Sequence, residues 1–124
     1  MLHMLVVDDE EAISFAMARY FRSRGFAVDI ARRLDEAQAL SSNYKYDVVL
    51  ADLQLTAAHG QEGLTLVSWL RDRCPWSRSI LLTANECFKT DAVARERGAD
   101  LVMRKPQPLS DLADTILKLA ALPR

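Results

Sequence analysis

Carboxylates gather where apolar runs stop. Asp8, Asp9 and Glu10 follow directly on the first such run, and Asp52 closes another at 48–51. Thr83 ends a later run, and Lys105, followed by Pro106, stands just past the last. Acidic groups held together repel one another unless a cation lies among them, and Mg²⁺ is a hard ion suited to one or two carboxylates, a carbonyl and several waters. A carboxylate can also act as a nucleophile and become an acyl phosphate. A lysine ammonium and a threonine hydroxyl beside it would then meet the phosphoryl oxygens, which is the equipment phosphoryl transfer needs. On this reading Asp52 is the acceptor and Asp8 and Asp9 share a Mg²⁺ site with it. Lys105 pairs with Asp52 or with a phosphoryl oxygen, and Thr83 hydrogen-bonds the incoming group.

Each part alone has a plainer explanation. An aspartate pair at a strand end makes a turn, and Asp9 or Glu10 favours the N-terminus of a following helix. A lone strand threonine and a Lys-Pro loop are both ordinary. Their joint placement at the ends of several runs favours the chemical reading.

The elements that must position these groups alternate five times. Short continuous apolar runs at 4–7, 27–31, 48–51, 80–83 and 101–103 read as strands covered on both faces of a parallel sheet. Longer amphipathic stretches separate them. The first places Ile13, Ala16, Tyr20 and Phe21 at helical spacing, with Gly25 as its stop. The second, 34–43, aligns Leu34, Ala37 and Leu40. The third begins near Glu62, carries Leu66, Val67 and Leu70, and ends before Cys74-Pro75. The fourth, 86–97, has a thin apolar face of Phe88, Ala92 and Val93. The fifth starts at Pro108 or Ser110 and carries Leu109, Leu112, Ala113, Ile116, Leu117 and Ala120. Strand–helix alternation of this kind implies a doubly wound α/β sandwich in one domain, 1–124, with ligands beyond the carboxyl ends of the strands.

Composition narrows the classes of function. The chain has 124 residues, half of them apolar and 27% charged, with a net charge of −1. That balance offers no field for nucleic acid or an anionic membrane, and no apolar run approaches the ~20 residues a membrane-spanning helix needs. No signal-peptide pattern opens the chain, so a cytoplasmic location is expected. Cys74 and Cys87 lack metal-ligand spacing and read as half-buried thiols. Trp69 and Trp76 read as packing residues. Arg95, Arg97, Arg104 and Lys118 read as surface charges.

These residues in this order resemble a response-regulator receiver domain. The resemblance is carried by Leu5-Val6-Val7-Asp8-Asp9-Glu10, Val48-Val49-Leu50-Ala51-Asp52-Leu53, Ile80-Leu81-Leu82-Thr83-Ala84, and Gly98-Ala99-Asp100 followed by Arg104-Lys105-Pro106. It covers essentially the whole chain. It implies the flavodoxin-like strand order 2-1-3-4-5 and Mg²⁺-dependent transfer to Asp52 from a phosphohistidine of a sensor histidine kinase or phosphotransfer protein. It further implies Asp8, Asp9 and the Gln54 backbone carbonyl as metal ligands, Thr83 and Lys105 as phosphoryl contacts, and Ala84 kept small for donor access. A cis Lys105–Pro106 bond is also implied. Such a domain is no turnover enzyme, since it promotes only its own phosphorylation and dephosphorylation. It switches an output domain or target protein through the surface of its fourth helix, fifth strand and fifth helix, where a homodimer would also form.

The sequence departs from the family pattern at three points. Val102 occupies the position, three before the lysine, where an aromatic usually swings inward. Thr56 stands where the loop after the acceptor usually has proline, and that loop is longer than usual. His59 lies within it and reads as a loop residue. Two other classes fit less well. A haloacid-dehalogenase-like phosphatase would carry Asp-x-Asp after its first strand, and an interaction module working without phosphorylation would have no need of the complete acidic set. A flavodoxin lacks its phosphate loop here.

Overall fold

A run of four or five apolar residues can be buried along its whole length only if both faces of its sheet are covered. The computed structural model, which describes residues 1–52, 62–84, 88–105 and 107–123, meets that condition for the runs at 4–7, 48–51 and 80–83, while Asp29 in the second run is exposed and the fifth run is half-buried. Its elements in chain order are β1 (His3–Val7), α1 (Glu11–Ser23), β2 (Ala27–Ala31), α2 (Leu34–Asn43) and β3 (Val48–Asp52). They continue with α3 (Glu62–Arg73), β4 (Arg78–Thr83), α4 (Phe88–Arg97), β5 (Leu101–Arg104) and α5 (Leu109–Ala121). The five strands are parallel and ordered β2-β1-β3-β4-β5. This is the expected flavodoxin-like order. Its switch point lies between β1 and β3, so their carboxyl ends flank the crevice where such sheets bind ligands.

Successive strand residues point to opposite faces, and the sheet accordingly divides two cores. On one side Met4, Val6, Val48, Leu50, Ile80 and Leu82 pack against Ala18 and Phe21 of α1 and Leu112, Ala113 and Ile116 of α5. On the other, Leu5, Val7, Val49, Ala51 and Leu81 meet Ala37 of α2, Leu66, Val67 and Leu70 of α3, and Ala94 of α4.

Three expected helix faces are corrected. In α1 the inward residues are Ser14, Ala18 and Phe21, while Ile13 and Ala16 are exposed and Tyr20 is half-buried. The serine can face inward because its hydroxyl donates to the Glu11 carbonyl at 3.1 Å. In α4, Ala92 is exposed, Val93 is 38% exposed, and Ala94 is buried instead. In α5 only Leu117 departs, being exposed, while Leu112, Ala113 and Ile116 are buried and Leu109 and Ala120 pack half-buried against them. Trp76 is likewise no packing residue: it lies exposed, with the Lys45 ammonium 5.2 Å above its ring. Trp69 does pack, against the α3-side core. Cys74 is buried, its thiol donating to the Ser41 carbonyl at 3.6 Å. Cys87 and the Phe88 side chain fall outside the described residues.

α1 and α4 end in the same way. Gly25 (φ +93°) and Gly98 (φ +122°) adopt the left-handed conformation after the last helical turn. Phe26 N–H bonds back to the Phe21 carbonyl, and Ala99 N–H to that of Ala94, closing the orphan carbonyls of each helix. Gly25 is open to solvent, but a Cβ on Gly98 would stand 2.9 Å from Arg71 Cβ and 3.2 Å from the Val67 carbonyl. α4 therefore crosses α3 closely enough that only a small residue fits between them. Gly98→Ala is expected to destabilise the protein by about 2 kcal/mol, combining left-handed strain with the clash. Gly25→Ala should cost about 1 kcal/mol, from strain alone. Urea midpoints of the two variants measure the difference.

Candidate functional site

The acidic residues come together because two strand ends do. Val7 is in register with Ala51 across β1 and β3, so Asp8 leaves its strand beside Asp52. Asp8, Asp9 and Asp52 each offer a carboxylate oxygen, and all three oxygens lie within 4.8 Å of one another. Their exposures differ. Asp8 is 2% exposed, Asp52 is half-buried and Asp9 is exposed. Burial is the main reason that the Asp8 carboxyl is held above the ordinary aspartate value. The Asp52 and Asp9 charges push it the same way, against the pull of the Glu10 backbone hydrogen bond and of Lys105.

Asp8 also serves local structure. Its Oδ1 accepts the Glu10 backbone N–H at 2.9 Å, an Asx turn that delivers the chain into α1. Glu10 is the N-cap of that helix and makes no side-chain cap bond. The turn reading and the chemical reading of the aspartate pair thus both hold, on different atoms.

Lys105 comes from the end of β5 and spans the sheet to reach β3. Its Nζ donates to Asp52 Oδ2 at 2.6 Å. Its backbone N–H donates to the Thr83 carbonyl at 2.8 Å, which ties the ends of β4 and β5 together. Thr83 is 3% exposed at the same sheet edge, one residue past Leu82, the register partner of Asp52. Ala84, next along, is exposed. Gln54, Thr56, His59 and Pro106 fall outside the described residues, so the carbonyl ligand, the longer loop and the Lys105–Pro106 bond stay expectations.

The donor set suits a hard divalent cation. It is all oxygen, its three carboxylate oxygens lie within 4.8 Å of one another, and one member resists ionisation because it is buried beside two like charges. Lys105 pairs directly with Asp52 and offsets the Asp8 charge only in part.

One polar contact near the site was not legible as such. Arg104 does not project as a free surface charge: its Nη2 donates to Asp91 Oδ2 of α4 at 2.7 Å, with both side chains largely covered. Strand alternation holds the clue, since Arg104 lies two residues after Val102, and Val102 packs on the α4 side of the sheet. Arg95, Arg97 and Lys118 are exposed as expected.

Comparison with known proteins agrees with this geometry. The family model of the response regulator receiver domain matches residues 4–117. The photosynthetic apparatus regulatory protein RegA of Rhodobacter capsulatus is 32% identical over 121 residues, which are 97% of this chain and 64% of that protein. The chain thus spans just under two thirds of the length of this curated relative. Among solved structures, a CheY-like response regulator receiver domain protein from Methanospirillum hungatei superposes with a TM-score of 0.89 at 25% identity, covering 97% of this chain and 94% of that one. A response regulator from Burkholderia pseudomallei, solved with a phosphorylated aspartic acid, calcium ion and citrate, has a TM-score of 0.82 at 30% identity, over 98% of this chain and 74% of that one. A doubly wound sheet with its acidic cluster at the switch point and a family match over nearly its whole length place this chain among the receiver domains of two-component response regulators.

Proposed function

We propose that Asp52 is the phosphoacceptor of this receiver domain. The arrangement that carries the reading is the set of three carboxylates within 4.8 Å with the Lys105 ammonium 2.6 Å from Asp52. In the transfer, a carboxylate oxygen of Asp52 attacks the phosphorus of a phosphohistidine on a sensor kinase or phosphotransfer protein. The phosphorus–nitrogen bond breaks, the imidazole leaves with its electron pair and takes up a proton, and an acyl phosphate remains on Asp52. Lys105 releases the carboxylate to meet a phosphoryl oxygen, and Thr83 donates its hydroxyl to another.

Asp8, Asp9, Asp52 and the Gln54 carbonyl would hold Mg²⁺, which when bound offsets charge on the acidic groups and the phosphoryl oxygens. A calcium ion accompanies the phosphorylated aspartate in the Burkholderia pseudomallei protein, and that supports a divalent cation here.

Phosphorylation adds about −1.5 to −2 charge beside Lys105. Thr83 moves toward it and shifts the surface of α4, β5 and α5, where a target, an output domain or a second copy binds. The greater length of the RegA relative supports an output region beyond a receiver. On this reading the protein works in the cytoplasm as a signalling acceptor and not as a turnover enzyme.

The test is incubation with a small phosphodonor, followed by intact mass. In Mg²⁺ the wild type should gain one phosphate, and in excess chelator none. No gain in Mg²⁺ would sink the proposal, and continuing release of inorganic phosphate from a phosphomonoester would favour a phosphatase.

A further inference from the structure

α4 is held in an unusual way. Its single buried apolar side chain among those described is Ala94. Its C-terminal end is fixed by polar bonds: Arg71 Nη1 donates to the Glu96 carbonyl at 2.9 Å, Ser68 Oγ to that of Arg97 at 3.3 Å, and Ser79 Oγ to that of Gly98 at 3.2 Å. Gly98 adds the tight crossing against Arg71. Earlier along the helix, among the described side chains, the bond from Arg104 to Asp91 ties its body to the sheet.

That bond carries an internal opposition. One oxygen of Asp91 takes a short, charge-assisted hydrogen bond, yet the other, Oδ1, is buried with no hydrogen-bond partner among the described residues. The closed pair gains the first interaction and bears the desolvation of the second. Opening would rehydrate Oδ1 and so offset part of the interaction lost with Arg104, which outweighs the burial and holds the Asp91 carboxyl below its ordinary value. A contact whose gain is partly offset in this way takes less force to open than a fully satisfied pair.

The pair also touches the site through one strand step. Arg104 is the register partner of Thr83 and the neighbour of Lys105, whose N–H bonds the Thr83 carbonyl. A displacement of Thr83 or Lys105 therefore acts directly on the backbone that carries Arg104. Val102, on the same face, has no ring to relay such a movement.

We propose that the Asp91–Arg104 ion pair is a clasp that holds α4 against β5 in the unphosphorylated protein, and that phosphorylation opens it so that α4 swings about its C-terminal anchor. The clasp acts on the same face as Val102, the position where the family pattern leads one to expect an aromatic. The opening step rests on the assignment of Asp52 as the acceptor.

Hydrogen exchange of the α4 amides, read by mass spectrometry, tests it in wild type, Asp91→Asn, Arg104→Gln and the double variant. Each is measured before and after treatment with a small phosphodonor in Mg²⁺, with the label checked by intact mass on the same samples. Without phosphodonor, each single substitution should speed exchange by about tenfold and the double by no more than either, because both remove one interaction. Labelled wild type should rise to the level of unlabelled Asp91→Asn, and labelling that variant should add little. A purely structural role would instead let phosphorylation add the same increment in wild type and variant. That result overturns the clasp, as does labelled wild type that stays slow, or single effects that add in the double. Absence of label from every sample would overturn the acceptor assignment and the opening step with it. In that case the unlabelled variants still report whether the pair holds the helix.

Discussion

Asp52→Ala is expected to take up no phosphoryl group under conditions that fully label the wild type, a fall in labelling rate of at least about a thousandfold. The reasoning is specific to the position. Asp8 and Asp9 are also carboxylates within 4.8 Å, but Asp8 is buried, holds the Glu10 N–H, and has its ionised form disfavoured. Asp9 is exposed, and Lys105 donates to neither in the described structure. Asp52 alone combines partial access with an ammonium placed to receive phosphoryl charge. The substitution removes one like charge from the cluster and one partner from Lys105. These effects oppose each other, so stability should change by no more than about 1 kcal/mol. Intact mass after phosphodonor treatment gives the labelling, and a urea titration shows that the variant is folded. Equal labelling of variant and wild type would refute the assignment.

Asp8→Asn should do two things that rarely go together, weakening Mg²⁺ binding by at least about tenfold while making the metal-free protein more stable by about 1–2 kcal/mol. The amide oxygen can keep the Glu10 N–H bond, so the Asx turn survives. What disappears is a buried negative charge facing Asp52 and Asp9.

The sign of the pH dependence follows from the direction of the shift. The folded carboxyl of Asp8 binds its proton more tightly than the unfolded one, whose ordinary value is 3.8. Its contribution to stability is therefore fully present below that value and is lost as pH rises through the higher folded value. In excess chelator, wild-type stability should include this decline toward neutral pH, and Asp8→Asn should lack it. Mg²⁺ should offset the decline in wild type and do little for the variant. Urea midpoints across about pH 4 to 7, with and without Mg²⁺, measure all of this. A variant no more stable than wild type in chelator would show that the cluster stores no repulsion.

The strands and the candidate site were legible for one shared reason. A run buried on both faces must be apolar throughout, so the first charged residue after it marks the strand end, and in a parallel sheet those ends face one crevice. Asp8 and Asp52 announce themselves by that rule, and Lys105 stands one residue further on, after Arg104. The faces of α1 and α4 were not legible, because the residues that pack closest there are small. Ser14, Ala18 and Ala94 let the helices approach the sheet, while bulkier Ile13, Phe15 and Val93 remain outside. Counting large apolar residues at helical spacing points to the wrong side of such a helix. The Asp91–Arg104 pair escaped for a related reason: two charges far apart in sequence read as two solvated groups until the fold sets them 2.7 Å apart.

The sheet is a partition whose covering helices are unequally rooted. One side is filled by Phe21, Leu112 and Ile116, and the other by Leu66, Val67 and Leu70 of α3, to which α4 adds Ala94 among its described side chains. Random substitution should therefore be purged unevenly. On the α1–α5 side a truncation opens a cavity and threatens folding itself, whereas the outer residues of α4 can change with little thermodynamic consequence. Over many generations that freedom lets a descendant acquire a new recipient for its signal while the acceptor chemistry and the scaffold beneath it stay as they are.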